Sequence, residues 1–242
     1  MKVDWSPLDA AMEGRAPVFW WRDDDAVEPT PALDRLLALT AEVGAPLTLA
    51  SIPVRTTAAL AKRIAPDATT SVAVHGWAHE SHALPEEKNA EFGAHRPLTT
   101  RMAEAERGLR VLGDTFGAQA LPVFIPPWNR MAPDMPEALA AAGYRAVSVY
   151  GERLPTATPL PRFDAHIDPI DWRGTRSTVD PALLIAQVCD LLEDDAPIGL
   201  MTHHLAHDEA IWTTVEGLTR RLTKRGARWI SLPDLVTGEI AN

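Results

Sequence analysis

Residues 17–50 read PVFWWRDDDAVEPTPALDRLLALTAEVGAPLTLA. This stretch holds one complete strand–helix–strand unit. Pro17–Arg22 is a short apolar and aromatic run, the pattern of a buried strand. Thr30 followed by Pro31 opens a helix, because threonine caps a first turn and proline fits the first helical position. Leu33, Leu36, Leu37 and Val43 put apolar groups on one face, and Gly44 ends the helix. Pro46–Ala50 is the next strand. Two strands joined by a helical crossover run parallel.

Working outward, the unit repeats. Thr57–Ile64 predicts a short helix and Thr70–Val74 a strand. Met102, Ala105, Leu109, Leu112 and Phe116 recur at helical spacing, and Leu121–Ile125 is strand-like. Pro136–Ala142 is helical and stops at Gly143, before a strand at Arg145–Val149. Asp180-Pro181 opens a helix carrying Leu184, Val188, Leu191 and Leu192, and Pro197–Thr202 is a strand. Asp208–Arg225 puts Trp212, Val215, Leu218 and Leu222 on one helical face, and Arg228–Leu232 closes the series. About seven parallel strands alternating with helices imply an α/β fold, either a barrel or an open doubly wound sheet. Neither a GxGxxG turn nor a P-loop is present, which weighs against the nucleotide-binding open sheet. The expectation is a barrel.

The chain has 242 residues, 46% of them hydrophobic, which suits a single domain over 1–242 with one sizeable core. A formal net charge of −10 argues against nucleic acid and against an anionic membrane surface as partners. No run reaches the roughly 18 apolar residues a membrane span needs. The first residues lack the apolar core of a signal peptide, and a lone Cys189 cannot form an internal disulfide. These features predict a cytoplasmic setting and a small-molecule or glycan partner. Nothing in the sequence specifies an oligomeric state.

The unusual polar residues fall just after the expected strands. Asp23-Asp24-Asp25 follows the first, His75 and His79 the third, Pro127-Trp128-Asn129 the next, and His203-His204 the one ending at Thr202. In an α/β barrel the C-terminal strand ends share one face, where active sites are built. Three adjacent carboxylates repel unless a cation or proton sits among them. A bare triplet reads better as a solvated acidic turn capping the following helix, but here it ends a very apolar strand, which gives the functional reading the advantage. Histidines four apart can chelate a metal from a helix face or from a loop. Two histidines and one carboxylate leave coordination positions open, as catalysis requires. Glu80, His82, His95, His166 and His207 are expected in structural or surface roles.

With these motifs in order, the sequence resembles the polysaccharide deacetylase superfamily from about Phe19 to Leu235. Arg22-Asp23-Asp24-Asp25-Ala26 resembles its aspartate pair and His75-Gly-Trp-Ala-His79 its paired-histidine segment. Ile125-Pro-Pro-Trp128 is similar to its Arg-x-Pro-aromatic segment, with Ile125 where arginine is expected. Asp168-Pro-Ile-Asp171-Trp172 and Leu200-Met-Thr-His203 resemble the last two motifs. The resemblance implies a deformed (β/α) barrel and a metal-dependent hydrolase that removes an acyl group from an N-acylated sugar or a related amide.

Carried over by position, the resemblance implies Asp24 as general base, His203 as general acid with Asp171 polarising it, and Asp25, His75 and His79 as metal ligands. The register Asp23 as base and Asp24 as ligand is the alternative, and His203 against His204 is likewise open. Trp128, Asn129 and Trp172 would line the substrate pocket. The divalent metal implied is zinc first, with cobalt, nickel or iron also suited to nitrogen and oxygen ligands. The arginine missing at Ile125 would have tethered the base, and Arg22 or Asn129 are the residues available to replace it. Hydrolysis of a non-carbohydrate C–N bond in a small metabolite, and a non-catalytic barrel, are the competing readings.

Overall fold

A computed structural model describes residues 3–151 and 159–238. Met1, Lys2 and the last four residues of the expected 1–242 domain lie outside the described residues. The strands are β1 (Val18–Ala26), β2 (Leu47–Ser51), β3 (Thr70–His75), β4 (Ala120–Ile125), β5 (Ala146–Val147), β6 (Ile198–Thr202) and β7 (Arg228–Trp229). The helices are α1 (Ser6–Ala11), α2 (Pro31–Val43), α3 (Ala58–Ile64), α4 (Leu98–Phe116), α5 (Met135–Ala141), α6 (Pro181–Leu191), α7 (Glu209–Lys224) and α8 (Leu232–Thr237). No helix among the described residues is long and apolar enough to cross a membrane.

The helix signals act as expected. The Thr30 hydroxyl accepts from Leu33 N at 3.0 Å, Pro31 begins α2, and Gly44 ends it with φ 66°. Asp180 and Asp208 cap α6 and α7 in the same manner. All strands pair in parallel, in the order β5-β4-β3-β2-β1-β6, with β7 joined to the start of β1 at Val18↔Arg228 and Phe19↔Trp229. Every residue of β2, β3 and β6 is buried. Helices cover the outside of such a sheet and side chains fill its inside.

The gap between β5 and β6 is bridged by residues 161–167, an irregular segment with no counterpart in the sequence reading. On one side Phe163 N donates to Val147 O and Ala165 N to Val149 O, at 3.1 and 2.8 Å; on the other His166 N donates to Gly199 O at 2.7 Å and Met201 N to Ile167 O at 2.8 Å. This segment completes the ring and makes the fold a deformed (β/α) barrel. Strand alternation gives the barrel two faces. Phe19, Trp21, Leu47, Leu49, Val72 and Val74 point outward into the main core beneath the helices. Trp20, Ala50, Ala73, Val123, Ile125 and Ala146 form a smaller inner cluster plugged by Leu232 and Leu235 of α8.

Several element boundaries differ from expectation, among them the strand expected over Arg145–Val149, which is only Ala146–Val147. The first strand runs four residues beyond Arg22, because β2 and β6 flank it and the ladder continues through Asp23↔Leu49, Asp24↔Ala50 and Asp23↔Thr202. The acidic triplet therefore lies in the strand rather than after it. The last strand ends at Trp229, since α8 begins at Leu232 with Ser231 as its cap.

Gly199 is where β6 meets the closing segment. A Cβ there would lie 2.5 Å from Asp164 O, 2.7 Å from Ala165 Cα and 2.8 Å from Trp20 Nε1. The neighbours are mostly backbone and cannot swing aside. Gly199→Ala is expected to destabilise the fold by about 1–3 kcal/mol through overpacking. Urea unfolding measures it; an unchanged midpoint would mean that the barrel does not close against this position.

Candidate active site

The inner face of β1 carries Trp20, Arg22 and Asp24 in a column, by simple alternation. Arg22 is fully buried, a costly position for a cation unless every donor is matched. Its Nε lies 3.2 Å from Asp24 Oδ1, Nη1 donates to Ser148 Oγ at 2.7 Å, and Nη2 meets Asn129 Oδ1 and, at 2.9 Å, Met201 Sδ. Arg22 therefore stands beside Asp24, and Asn129 holds Arg22. Ile125 packs in the inner cluster, and its carbonyl lies 3.0 Å from His75 Nδ1.

The three aspartates part company. Asp23 faces outward, fully buried, and accepts from Thr202 Oγ1 at 2.7 Å, from His204 N at 2.9 Å and from His204 Nδ1. Burial opposes its charge, but His204 and Thr202 hold the carboxyl below its ordinary value, and Asp23 in turn pushes His204 up against burial. The two form an ion pair behind the sheet. Asp24 points inward. Asp25 would follow Asp23 outward, but it takes φ 72° where the β1–β2 register slips, and this bulge swings its carboxylate to the mouth.

There Asp25 Oδ1 lies 3.2 Å from His75 Nε2 and 3.4 Å from His79 Nε2. The candidate ligand atoms of these three residues all lie within 4.8 Å of one another. The His75–His79 segment is a loop, not a helix. Glu91 shapes it, accepting from Trp77 N at 3.1 Å and Ala78 N at 2.7 Å. Nothing in the sequence singles out Glu91. With His75 Nδ1 donating to Ile125 O, Nε2 keeps a free lone pair facing Asp25. Asp25 Oδ1 is buried without a hydrogen-bond partner, so this donor set fits a divalent ion. Burial opposes the Asp25 charge, yet the closeness of His75 keeps the carboxyl well below the usual range.

His203 enters the same cleft, with Nε2 3.9 Å from Asp24 Oδ2 and its ring 4.9 Å from Trp172. His204 points the other way, to Asp23. Asp171, expected to polarise His203, turns instead to its own loop, accepting from Gly174 N and Thr175 N, both at 2.9 Å. The turn at Gly174 leaves no other course, since a Cβ there would lie 2.2 Å from Asp171 Oδ2. The buried carboxylate whose charge acts on His203 is Asp168, fixed by Ile170 N at 3.0 Å and Trp172 Nε1 at 2.8 Å. Burial pushes Asp168 up and His203 draws it back. Trp128 packs on His79 with ring centroids 4.4 Å apart.

The cleft holds about 760 Å³; Asp24, His203 and the Asp25–His75–His79 set line it, together with Arg130, Tyr150, Arg173, Arg176 and Gln187, which the sequence reading missed. Among the described residues, the non-glycine positions with positive φ are Asp25, His79, Trp128, Asn129 and Arg176. Every one lines the cleft. Backbone strain of this kind persists only where the surroundings over-determine it.

No family model matches the sequence, and no curated protein matches it. Solved structures do match in three dimensions. A Mycobacterium smegmatis protein assigned as a polysaccharide deacetylase superposes with a TM-score of 0.67 at 16% identity, over 93% of each chain. The Bacillus subtilis peptidoglycan deacetylase PdaC gives 0.60 at 12% identity, over 93% of each chain. A family 4 acetyl xylan esterase from Clostridium thermocellum, in complex with a cobalt ion, gives 0.57 at 15% identity, over 92% of this chain and 91% of that one. This chain has the polysaccharide deacetylase fold. The barrel expected from the sequence is thereby established, on a chain whose identity to these proteins is too low to carry residue roles.

Behind the cleft, His207 gives this deacetylase-fold chain a measurable pH response. Its ring packs on Trp212 at 4.6 Å, its Nε2 accepts from His203 N at 3.4 Å, and its Nδ1 is buried without a partner. Burial pushes its pKa down to about 4. The unfolded chain takes up that proton near its ordinary value of about 6.5. The folded chain resists until about 4, so stability falls as pH drops through that window. His207→Gln is expected to lose less stability than wild type between pH 7 and pH 4.5, read from urea midpoints; equal losses would show that His207 is not buried neutral.

Proposed function

We propose that the chain is a metal-dependent hydrolase that cleaves an acyl group from an amine, acting on an N-acylated sugar or a related amide. The observation that carries this reading is the meeting, in one cleft, of the Asp25–His75–His79 donor set with Asp24 and His203 on facing walls. Asp25, His75 and His79 hold the divalent ion, zinc first among those suited to the set. When bound, the ion supplies a Lewis acid for the acyl carbonyl and makes a nearby water more acidic.

The chain's own residues do the rest. Asp24 takes the proton of the attacking water as that water adds to the acyl carbon. Arg22 fixes the direction of the Asp24 carboxylate, replacing the tether that Ile125 cannot provide. His203 faces Asp24 across a gap of 3.9 Å between Nε2 and Oδ2, a gap that a substrate widens by entering. As the C–N bond breaks, His203 gives its proton to the departing nitrogen, which is otherwise a poor leaving group. Trp172 packs on the His203 ring, and Asp168, bound to Trp172 Nε1, acts on His203 through its charge, the part Asp171 was expected to play. Trp128 and Trp172 wall the acyl end of the cleft and exclude water from it. Fold likeness supports this reading as analogy, while the site supplies the argument.

Elemental analysis is the first test. About one equivalent of a transition metal is expected in wild type, and none in His75→Ala/His79→Ala. On a panel of N-acylated amino sugars, N-acyl amino acids and acetate esters, Asp24→Asn should retain the metal and lose about 100-fold or more in kcat. Protein that takes up no zinc or cobalt on reconstitution, or that turns over equally well without Asp24, would overturn the mechanism.

A further inference from the structure

The charges around the cleft mouth do not balance within the chain. Four carboxylates line it, three of them met by groups of the fold and the fourth, Asp25, set against the histidines of the candidate metal set. Asp24 has Arg22, Asp25 has His75 and His79, Asp168 has Ile170 N and Trp172 Nε1, and Asp171 has the amides of Gly174 and Thr175. Three guanidiniums line the same cleft: Arg130, Arg173 and Arg176. None has a carboxylate partner among the described residues. Arg35, Arg101 and Arg220 pair with Glu209, Asp134 and Glu42, whereas Arg55, Arg110, Arg145 and Arg228, like the cleft arginines, have no carboxylate partner among the described residues. What sets Arg130, Arg173 and Arg176 apart is that all three line one cleft.

Two of these arginines sit on a built turn. Arg176 N donates to Asp171 O, and Asp171 N to Ser177 O, both at 2.9 Å, while the Asp171 carboxylate grips the amides between. Gly174 is required because its Cβ would strike that carboxylate. Arg176 adopts φ 57°, a conformation that costs a side-chain-bearing residue about 1 kcal/mol or more and glycine nothing. Its companions in that conformation are Asp25, His79, Trp128 and Asn129, all in the candidate centre. Arg130 comes from a separate segment, just after β4, with Nη1 held by Asn89 O at 3.0 Å. Two segments far apart in sequence thus bring guanidiniums to one cleft.

Guanidinium forks match carboxylate and phosphate oxygens in pairs. We propose that the substrate carries an oxyanion, a carboxylate or phosphate remote from the scissile acyl group, which Arg173, Arg176 and Arg130 grip at the mouth. This inference rests on the hydrolase reading of the same cleft and narrows it. The volume of about 760 Å³ suits a small molecule. A neutral polymeric glycan would leave the three guanidiniums without a role. An N-acyl amino acid or the phosphate ester of an N-acylated amino sugar would use them.

Calorimetric titration with inorganic phosphate and with succinate tests the rim apart from the chemistry. Both wild type and His75→Ala/His79→Ala are expected to bind. Arg173→Ala/Arg176→Ala is expected to bind about tenfold more weakly or worse, as loss of charge-assisted hydrogen bonds implies. The tighter of the two probes names the oxyanion. No binding by wild type, or binding that survives in the arginine double variant, overturns the inference. On zinc-loaded protein, N-acetylglutamate or N-acetylglucosamine 6-phosphate should exceed N-acetylglucosamine at least about tenfold in kcat/KM, a ratio that shrinks in the double variant through KM and at high salt. Turnover without preference for charge overturns this inference and leaves the hydrolase reading standing. Arginine-dependent anion binding without turnover of any acyl compound removes the hydrolase reading and this substrate assignment together.

Discussion

Asp23, Asp24 and Asp25 are consecutive on the central strand, between β2 and β6, with the first two buried and the third partly so. Like charges that close in a medium of low dielectric repel by several kcal/mol unless each finds its own cation. The strand separates them by direction. Alternation sends Asp23 out to His204 and Asp24 in to Arg22, and a bulge at positive φ turns Asp25 to the histidines at the mouth. The end of β6 repeats the division, with His204 going out to Asp23 and His203 into the cleft. The Asp23–His204 pair thereby ties the two strand ends together one residue away from the groups that face each other across the cleft.

Arg22 is the second consequence of the same constraint. A guanidinium buried on the inner face needs space, and Ala50, Ala73 and Gly199 are the small residues around its column. It also needs acceptors, which come from four directions: Asp24, Ser148, Asn129 and Met201. Once Arg22 fills that place, an arginine at position 125 would set two cations against one Asp24. Isoleucine there packs against the inner apolar cluster, while its carbonyl, which no substitution removes, still accepts from His75 Nδ1. The departure from the deacetylase pattern at Ile125 and the presence of Arg22 are thus one arrangement seen at two positions.

What the sequence made legible was whatever depends on local period and spacing. Buried strands read as apolar runs, helix starts as Thr-Pro and Asp-Pro, and the reactive residues fell at strand ends because a parallel barrel gathers those ends. The closing segment 161–167 was invisible because it follows no period, carries Pro161 and shares its hydrogen bonds between two strands. Asp168 and Asp171 stand three residues apart, and spacing alone favours neither. The choice falls to the turn at Gly174, which spends the Asp171 carboxylate on its own amides. Glu91 acts through backbone amides of a loop it meets only in three dimensions, and no residue pattern announces such a contact.

Identity of 12–16% to proteins of the same fold fixes the barrel and leaves the chemistry to individual side chains. Here those side chains divide by depth. At the inner end Arg22, Asp24, His75 and Asp168 are buried, with Arg22 bound to Ser148 and Asn129, His75 to the Ile125 carbonyl and Asp168 to Ile170 N and Trp172, so their geometry is largely set before any ligand arrives. At the rim, Arg173 and Arg176 are exposed, and only the backbone beneath them is fixed. A preorganised centre loses little entropy on reaction, whereas exposed arms can follow the shape of what binds. On the proposed reading, the buried end sets which bond is attacked, and the exposed charges at the mouth set which molecule presents it.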